Sequence, residues 1–208
     1  MKKILLIVGI LMLLLSVSCG TASNSVTNSK NGEVKKGVAP IADTEIAVIE
    51  METPAYGTIK LELYSNIAPQ MVARFKELAK EGYYNGIAFH RINQTVIQAG
   101  DANTKPNAVP KNPGREGDSG KPNVPAEFSD VPYNTGILGA ARMPGDNNSA
   151  NSQFFIMLKR EAAFDNKYTV FGKVIEGMNN VITISGVPKD GERPQEPVRI
   201  KNVTIVAK

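Results

Sequence analysis

The stretch FHRINQTVIQAGD, Phe89 to Asp101, holds the only histidine of the chain and, beside it, an arginine flanked by apolar residues. It reads as parts of two short strands, Gly86 to Ile92 and Val96 to Gly100, with a turn at Asn93-Gln94. Successive side chains of a strand point to opposite faces, so Arg91 faces away from both His90 and Ile92. A permanent charge at such a position is either a surface side chain snorkelling off the sheet or a functional group.

On the N-terminal side of this stretch, Glu45 to Met51 and Tyr56 to Tyr64 read as two strands joined by a turn at Thr53-Pro54. The second sets Ile59, Leu61 and Leu63 against Lys60 and Glu62. Asn66-Ile-Ala-Pro69 then opens a helix that presents Val72, Phe75, Leu78 and Ala79 on one face and stops at Gly82. On the C-terminal side, Gly136 to Ala141, Gln153 to Leu158 and Thr169 to Ile175 have strand character. Gly177 to Ser185 reads as a second helix and Val198 to Val206 as a closing strand. Many short strands with two helices predict a mostly β domain, a closed or strongly curved antiparallel sheet capped by helices. Between the strands, Ala102 to Pro125 carries five prolines, and a loop of that length in a compact domain is either functional or mobile. Its place directly after Asp101 favours a functional role.

The N-terminus has a different texture. Lys2 and Lys3 precede the apolar run Ile4 to Leu15, and small residues with Cys19 follow, the order of a secretory signal. The run is short for a membrane span, and an uncleaved short anchor is the alternative. Cys19 is the only cysteine and has no disulfide partner in the chain. Its setting, SVSCG before Thr-Ala-Ser-Asn-Ser, resembles a bacterial lipoprotein signal, although Ser16 stands where such signals usually carry leucine. The expected organisation is a signal peptide over 1–18, a lipidated Cys19 with a flexible tether over 19–43, and one folded domain over 44–208. An exported protein anchored by lipid, facing the periplasm or cell surface, is the expectation.

Composition narrows the function. With 42% hydrophobic and 21% charged residues in 208, the chain can build a core, which excludes a disordered protein. The net charge of +4 carries little meaning, because loss of Lys2 and Lys3 with the signal would leave 22 basic against 20 acidic residues. No Lys/Arg block points to nucleic acid. One histidine, no HExxH, no P-loop, no GxGxxG and no GxSxG elbow leave zinc, nucleotide and acyl-transfer chemistry without support, and no cofactor is expected. What remains is chemistry without a nucleophile or a metal.

In Ser152-Gln-Phe-Phe-Ile-Met-Leu158, Phe154, Ile156 and Leu158 share one face and Gln153, Phe155 and Met157 the other. The first face reads as core. The second either holds a peptide or packs as a second core layer under a loop.

Four ordered segments, FHRI…VIQAGD, GILGAAR (Gly136 to Arg142), NSQFFI (Asn151 to Ile156) and FDNKYTVFGKVIEGM (Phe164 to Met178), resemble the signature of the cyclophilins, peptidyl-prolyl cis-trans isomerases. The resemblance implies an eight-stranded antiparallel barrel capped by two helices, with proline-containing segments of unfolded or folding proteins as partners; a monomer is the default expectation. It also implies Arg91 as the catalytic residue, with Gln98, Ala141, Gln153, Phe155, Phe164 and Tyr168 in the substrate groove. Val96 joins Phe155 and Phe164 as its apolar floor, and Phe89 and His90 are counted with the site, although a lone histidine is more simply a hydrogen-bonded structural residue. This sequence departs from the family pattern in three places. The interval from Arg91 to Gln98 is one residue short, Thr95 stands where phenylalanine is common, and Ala163 replaces a tryptophan that binds cyclosporin in some members, which implies weak cyclosporin binding. The alternative function is a proline-peptide binding module or holdase chaperone with little catalysis.

Overall fold

The structure is a computed structural model that describes residues 33–108 and 119–208. The expected signal peptide, Cys19 and the middle of the Pro-rich loop lie outside the described residues. Eleven strands and two α-helices follow the chain: β1 (Glu45–Met51), β2 (Thr58–Leu63), α1 (Pro69–Lys80), β3 (Ala88–Phe89), β4 (Arg91–Ile92), β5 (Val96–Ala99), β6 (Ile137–Ala140), β7 (Phe154–Met157), β8 (Val170–Glu176), α2 (Met178–Ser185), β9 (Lys189–Asp190), β10 (Arg193–Pro194) and β11 (Val198–Ala207).

Nine strands form one antiparallel sheet in the order β3-β11-β1-β2-β8-β6-β7-β5-β4, and β9 and β10 form a separate hairpin. The two ends of that order, β3 and β4, are consecutive in the chain with only His90 between them. Ala88 and Phe89 pair with β11, while Arg91 and Ile92 pair with β5. The sheet therefore curls until its ends meet in one broken strand, and nine pieces make the eight-stranded barrel that the family resemblance implies.

The break at His90 corrects the expectation of one continuous strand from Gly86 to Ile92. Strict alternation would put Phe89 on the face of Arg91, yet Phe89 and Ile92 are both buried in the main core while Arg91 is exposed. Neither glycine nor proline marks the break. It arises because the chain changes hydrogen-bonding partner there: the His90 amide donates to the Gln98 carbonyl (3.0 Å) and the Ile92 amide to the Glu192 carbonyl (2.7 Å). The other strand and helix expectations hold to within one or two residues, and the Tyr56 end of β2 is instead a 3₁₀ turn over Pro54–Tyr56.

The barrel interior holds the alternating residues Ala47 and Ile49, Ile59, Leu61 and Leu63, Phe154 and Ile156. Helix α1 inserts Phe75 among the rings of Tyr84, Phe154 and Phe171 at 5.2 to 5.5 Å. Pro69 starts this helix where no amide hydrogen is needed. The free amides of Gln70 and Met71 donate to the buried Glu127 carboxylate at 3.1 and 3.0 Å, which also meets the positive end of the helix dipole. Helix α2 buries Val181 and Ile184 and is tied by Asn180 Nδ2, which donates to the Thr58 carbonyl (2.7 Å).

Within the segment expected as tether, residues 33–43 lie against the barrel. Lys35 Nζ donates to the Ile67 carbonyl at 2.7 Å, the Gly37 amide to Asp130 at 2.7 Å and the Ile41 amide to Asn66 at 2.9 Å. The folded unit thus extends at least to Lys35. The Pro-rich loop is fastened at both described ends. Ala88 donates its amide to the Thr104 hydroxyl (2.9 Å), and Asn151 accepts from the Ser119 amide and hydroxyl (3.1 and 2.6 Å).

Candidate functional site

Register builds the site. Arg91 pairs with Gln98 across β4 and β5, Gln98 with Phe155 across β5 and β7, and Phe155 with Gly139 across β7 and β6. Directly opposed residues of neighbouring strands share a face, so these four form one row across the outside of the barrel. Gln153 lies two residues from Phe155 on the same face, and its carbonyl accepts the Ala141 amide at 3.0 Å.

The polar end of the row is a hydrogen-bonded chain. Gln98 Nε2 donates to Gln153 Oε1 at 2.7 Å, Arg91 Nη1 donates to Gln98 Oε1 at 3.3 Å, and Arg91 Nε donates to Glu192 Oε2 at 2.5 Å. The Arg91 and Glu192 side chains are 45% and 50% exposed, so this end meets solvent. The hydrogen bond from Arg91, with that from Asn93, holds the Glu192 carboxyl below its ordinary range.

The apolar end is a second core cluster outside the barrel wall. Val96, Phe155, Met157 and Val170 are buried there with Tyr64 and Tyr133, while Ala141, Phe164 and Tyr168 pack on it half-buried. The Phe155 ring stacks on Tyr133 at 5.8 Å and meets Phe164 and Tyr168 edge-on at 5.6 and 5.7 Å. Phe155 is thus a second core layer and the floor beneath an open aromatic rim at once. Gly139 permits this arrangement, because a Cβ at that position would lie 2.3 Å from the Phe155 ring. Arg142 stands over the Tyr168 ring at 4.6 Å and donates to the Lys167 carbonyl at 3.2 Å, which places a cation at the rim.

The turn after Arg91 is rebuilt by a side chain. Asn93 Oδ1 accepts the amides of Thr95 and Val96 at 2.8 and 2.9 Å, and the Thr95 carbonyl accepts the Leu158 amide at 2.7 Å. Thr95 is half-buried at the edge of β5, and Ala163 is exposed in a 3₁₀ turn before Phe164.

The structure therefore gathers Arg91, Gln98, Gln153, Val96, Phe155, Ala141, Phe164 and Tyr168, with Thr95 at the margin. It does not bring Phe89 and His90 to them. Phe89 is 1% exposed inside the barrel, edge-on to Phe154 at 6.4 Å. His90 lines a separate cleft of about 510 Å³ with Asp101, Lys105 and Arg199. The broken strand turns Phe89 inward, away from the face of Arg91, whereas simple alternation already sets His90 opposite Arg91. Sequence reasoning missed Gly139, Tyr133, Arg142, Asn93 and Glu192. A glycine inside the strand GILGAAR was a local signal for the first, whereas Glu192 lies 101 residues from Arg91 and carries none.

Comparison with known proteins gives a consistent picture. The family model described as cyclophilin type peptidyl-prolyl cis-trans isomerase matches residues 48–205. A protein of Brucella suis named probable peptidyl-prolyl cis-trans isomerase is 41% identical over 155 residues, covering 73% of this chain and 79% of that protein. A peptidyl-prolyl cis-trans isomerase of Schizosaccharomyces pombe is 38% identical over 160 residues, 74% of this chain and 96% of its own length. Among solved structures, a cyclophilin type peptidyl-prolyl cis-trans isomerase of Cryptosporidium parvum, crystallised in the presence of the dipeptide Ala-Pro, superposes with a TM-score of 0.67. It is 26% identical and covers 78% of this chain and 99% of its own.

Proposed function

The chain belongs to the cyclophilin-type peptidyl-prolyl cis-trans isomerases, and from that premise we propose that Arg91 accelerates rotation about X-Pro bonds by donating to the proline nitrogen of the twisted amide. Rotation faces a barrier of about 18 to 20 kcal/mol because the nitrogen lone pair is delocalised into the carbonyl. At the twisted transition state the lone pair localises on nitrogen, which then accepts a hydrogen bond that neither planar isomer accepts. A donor aimed there binds the transition state more tightly than the ground states, and such a difference is what lowers a barrier. Arginine supplies it without a tuned pKa, because the guanidinium stays charged at any ordinary pH.

The observation that carries this reading is the row Arg91–Gln98–Phe155–Gly139, with donors at one end and an apolar floor at the other. Val96, Phe155 and Phe164 receive the proline ring, with Tyr168 and Ala141 along the rim. Gln98 and Gln153 hold the flanking peptide backbone. The Asn93 cap on Thr95 and Val96 favours catalysis over the holdase alternative, because it keeps β5 in register despite the shortened turn. Ala163 in place of an indole supports weak cyclosporin affinity. The N-terminal pattern around Cys19 supports an exported, lipid-anchored protein that acts on proline-containing segments of exported proteins.

The test is the cis-trans exchange rate of an Ala-Pro peptide, measured by NMR, with the chain and its Arg91→Ala variant. Hydrogen bonds to charged groups contribute about 1.5 to 3 kcal/mol, so the variant should turn over roughly 10- to 150-fold more slowly. An unchanged rate overturns the role of Arg91. Peptide binding that survives with no acceleration in either form moves the chain to the binding-module reading.

A further inference from the structure

A guanidinium has five N–H donors and can be held by some while it uses others. Arg91 commits Nε to Glu192 Oε2 at 2.5 Å and one Nη1 hydrogen to Gln98 Oε1 at 3.3 Å. Among the described residues the other three hydrogens, one on Nη1 and two on Nη2, have no partner. The carboxylate therefore takes the Nε edge of the group and leaves the terminal nitrogens to other partners.

Glu192 is itself fixed from several directions. It sits at the tip of the β9–β10 hairpin, beside Gly191, whose φ of +61° lets the chain reverse. Its carbonyl accepts the Ile92 amide at 2.7 Å, and its second carboxylate oxygen accepts from Asn93 Nδ2 at 3.0 Å. The hairpin base is braced in turn. Gln195 donates its amide to the Pro188 carbonyl (3.0 Å) and its side chain to Asp190 (3.0 Å), and Lys189 reaches the Ser185 carbonyl at the end of α2 (2.7 Å). Asn93 links the two tasks, because the carboxamide that donates to Glu192 also caps the turn into β5.

An arginine side chain 45% exposed has many rotamers to lose when it must meet one atom of a substrate. Holding it beforehand removes that loss from the catalytic step. We infer that Glu192 is the positioning residue for Arg91, a hairpin-borne carboxylate that orients the guanidinium so that its terminal N–H groups face the substrate amide. This rests on the reading of Arg91 as the transition-state donor. Glu192 does not itself touch the reacting atoms. Exposed ion pairs contribute little to folding, so its removal should be felt in turnover and not in stability.

The experiment compares the chain with Glu192→Ala, Glu192→Gln, Arg91→Ala and the double variant Arg91→Ala/Glu192→Ala on an Ala-Pro peptide. Glu192→Ala should lower kcat roughly 10-fold with KM nearly unchanged, since misplacement by an ångström reaches about 100-fold. Glu192→Gln keeps an acceptor for Nε and should recover part of that loss. The Arg91 Nε–H NMR cross-peak, identified by its absence in Arg91→Ala, should shift and broaden in Glu192→Ala while the melting temperature stays within a degree or two. In the double variant Glu192→Ala should add nothing to Arg91→Ala. Full or raised kcat in Glu192→Ala, an unmoved cross-peak, or an equal further loss on the Arg91→Ala background each overturns the positioning role. Failure of the Arg91 reading is distinct from these, because it appears as an undiminished rate in Arg91→Ala alone.

Discussion

Gly139→Ala places one methyl against the Phe155 ring, the proposed floor of the groove. The added Cβ would lie 2.3, 2.5 and 3.0 Å from three atoms of the Phe155 ring. Carbon atoms settle about 3.5 to 4.0 Å apart, so the ring must retreat by roughly 1 Å or more. Tyr133 is stacked on it at 5.8 Å and is fully buried, so retreat on that side is blocked; the half-buried Phe164 and Tyr168 at 5.6 and 5.7 Å are the neighbours that can give. The ring moves toward the rim and narrows the proposed proline site. Overpacking of this kind costs about 1 to 3 kcal/mol, which in a domain of this size lowers the melting temperature by roughly 2 to 12 °C. A misfit of one methylene in an apolar pocket adds about 1 to 3 kcal/mol to substrate discrimination, roughly 10- to 200-fold in kcat/KM. Calorimetry and the Ala-Pro exchange assay read the two effects separately. Phe155→Leu in the same background should relieve the overlap and restore much of the stability without restoring turnover, because the pair is in direct contact and couples. Native melting and native kcat/KM in Gly139→Ala would refute the placement of Phe155 over Gly139 as the floor.

Two further outcomes concern the fold and its address. Asp43 is held by Lys76 (2.6 Å), the Ser65 hydroxyl (2.7 Å) and the Ser65 amide (3.1 Å). Burial pushes its pKa up, and these partners together outweigh burial and bring it below the ordinary value of 3.8. A depressed carboxylate stabilises above its unfolded pKa and loses that contribution as pH falls through the folded one. Asp43→Asn should therefore cost about 1.5 to 3 kcal/mol at pH 7, with the gap to the parent closing below pH 3.8; a gap that persists in acid denaturation assigns the loss to shape and not to charge. For the N-terminus, Cys19→Ser should move the protein from the membrane fraction to the soluble exported fraction, and equal partition of both forms counts against lipidation.

What was legible in the sequence was set by short-range periodicity. Phe154 and Phe155 are adjacent and buried in two different clusters, and alternation alone predicted that they face opposite ways. It left open what covers the second face, because Tyr133, Phe164 and Tyr168 arrive from other segments. Residues 33–43 looked like tether because they carry few large apolar side chains. Their attachment is polar, through Lys35, Asp130 and Asn66, and hydrogen bonds to distant partners leave no periodic trace. The break at His90 was equally silent, since it is a change of partner and not a change of residue type.

That break also accounts for the position of Glu192. Once Phe89 pairs with Val198 at the start of β11, the residues just before β11 must arrive at the seam where the barrel closes. The hairpin ends at Pro194, a few residues ahead of Val198, so its tip falls beside β4 and Glu192 meets Arg91. On this argument the donor stands at the seam because the strand changes partner immediately before it, and the carboxylate follows from the same closure. A shift in the register of β11 against β3 would carry Glu192 away from Arg91 while leaving the barrel interior intact. The site is therefore more sensitive than the fold to changes in the short connection between Pro194 and Val198.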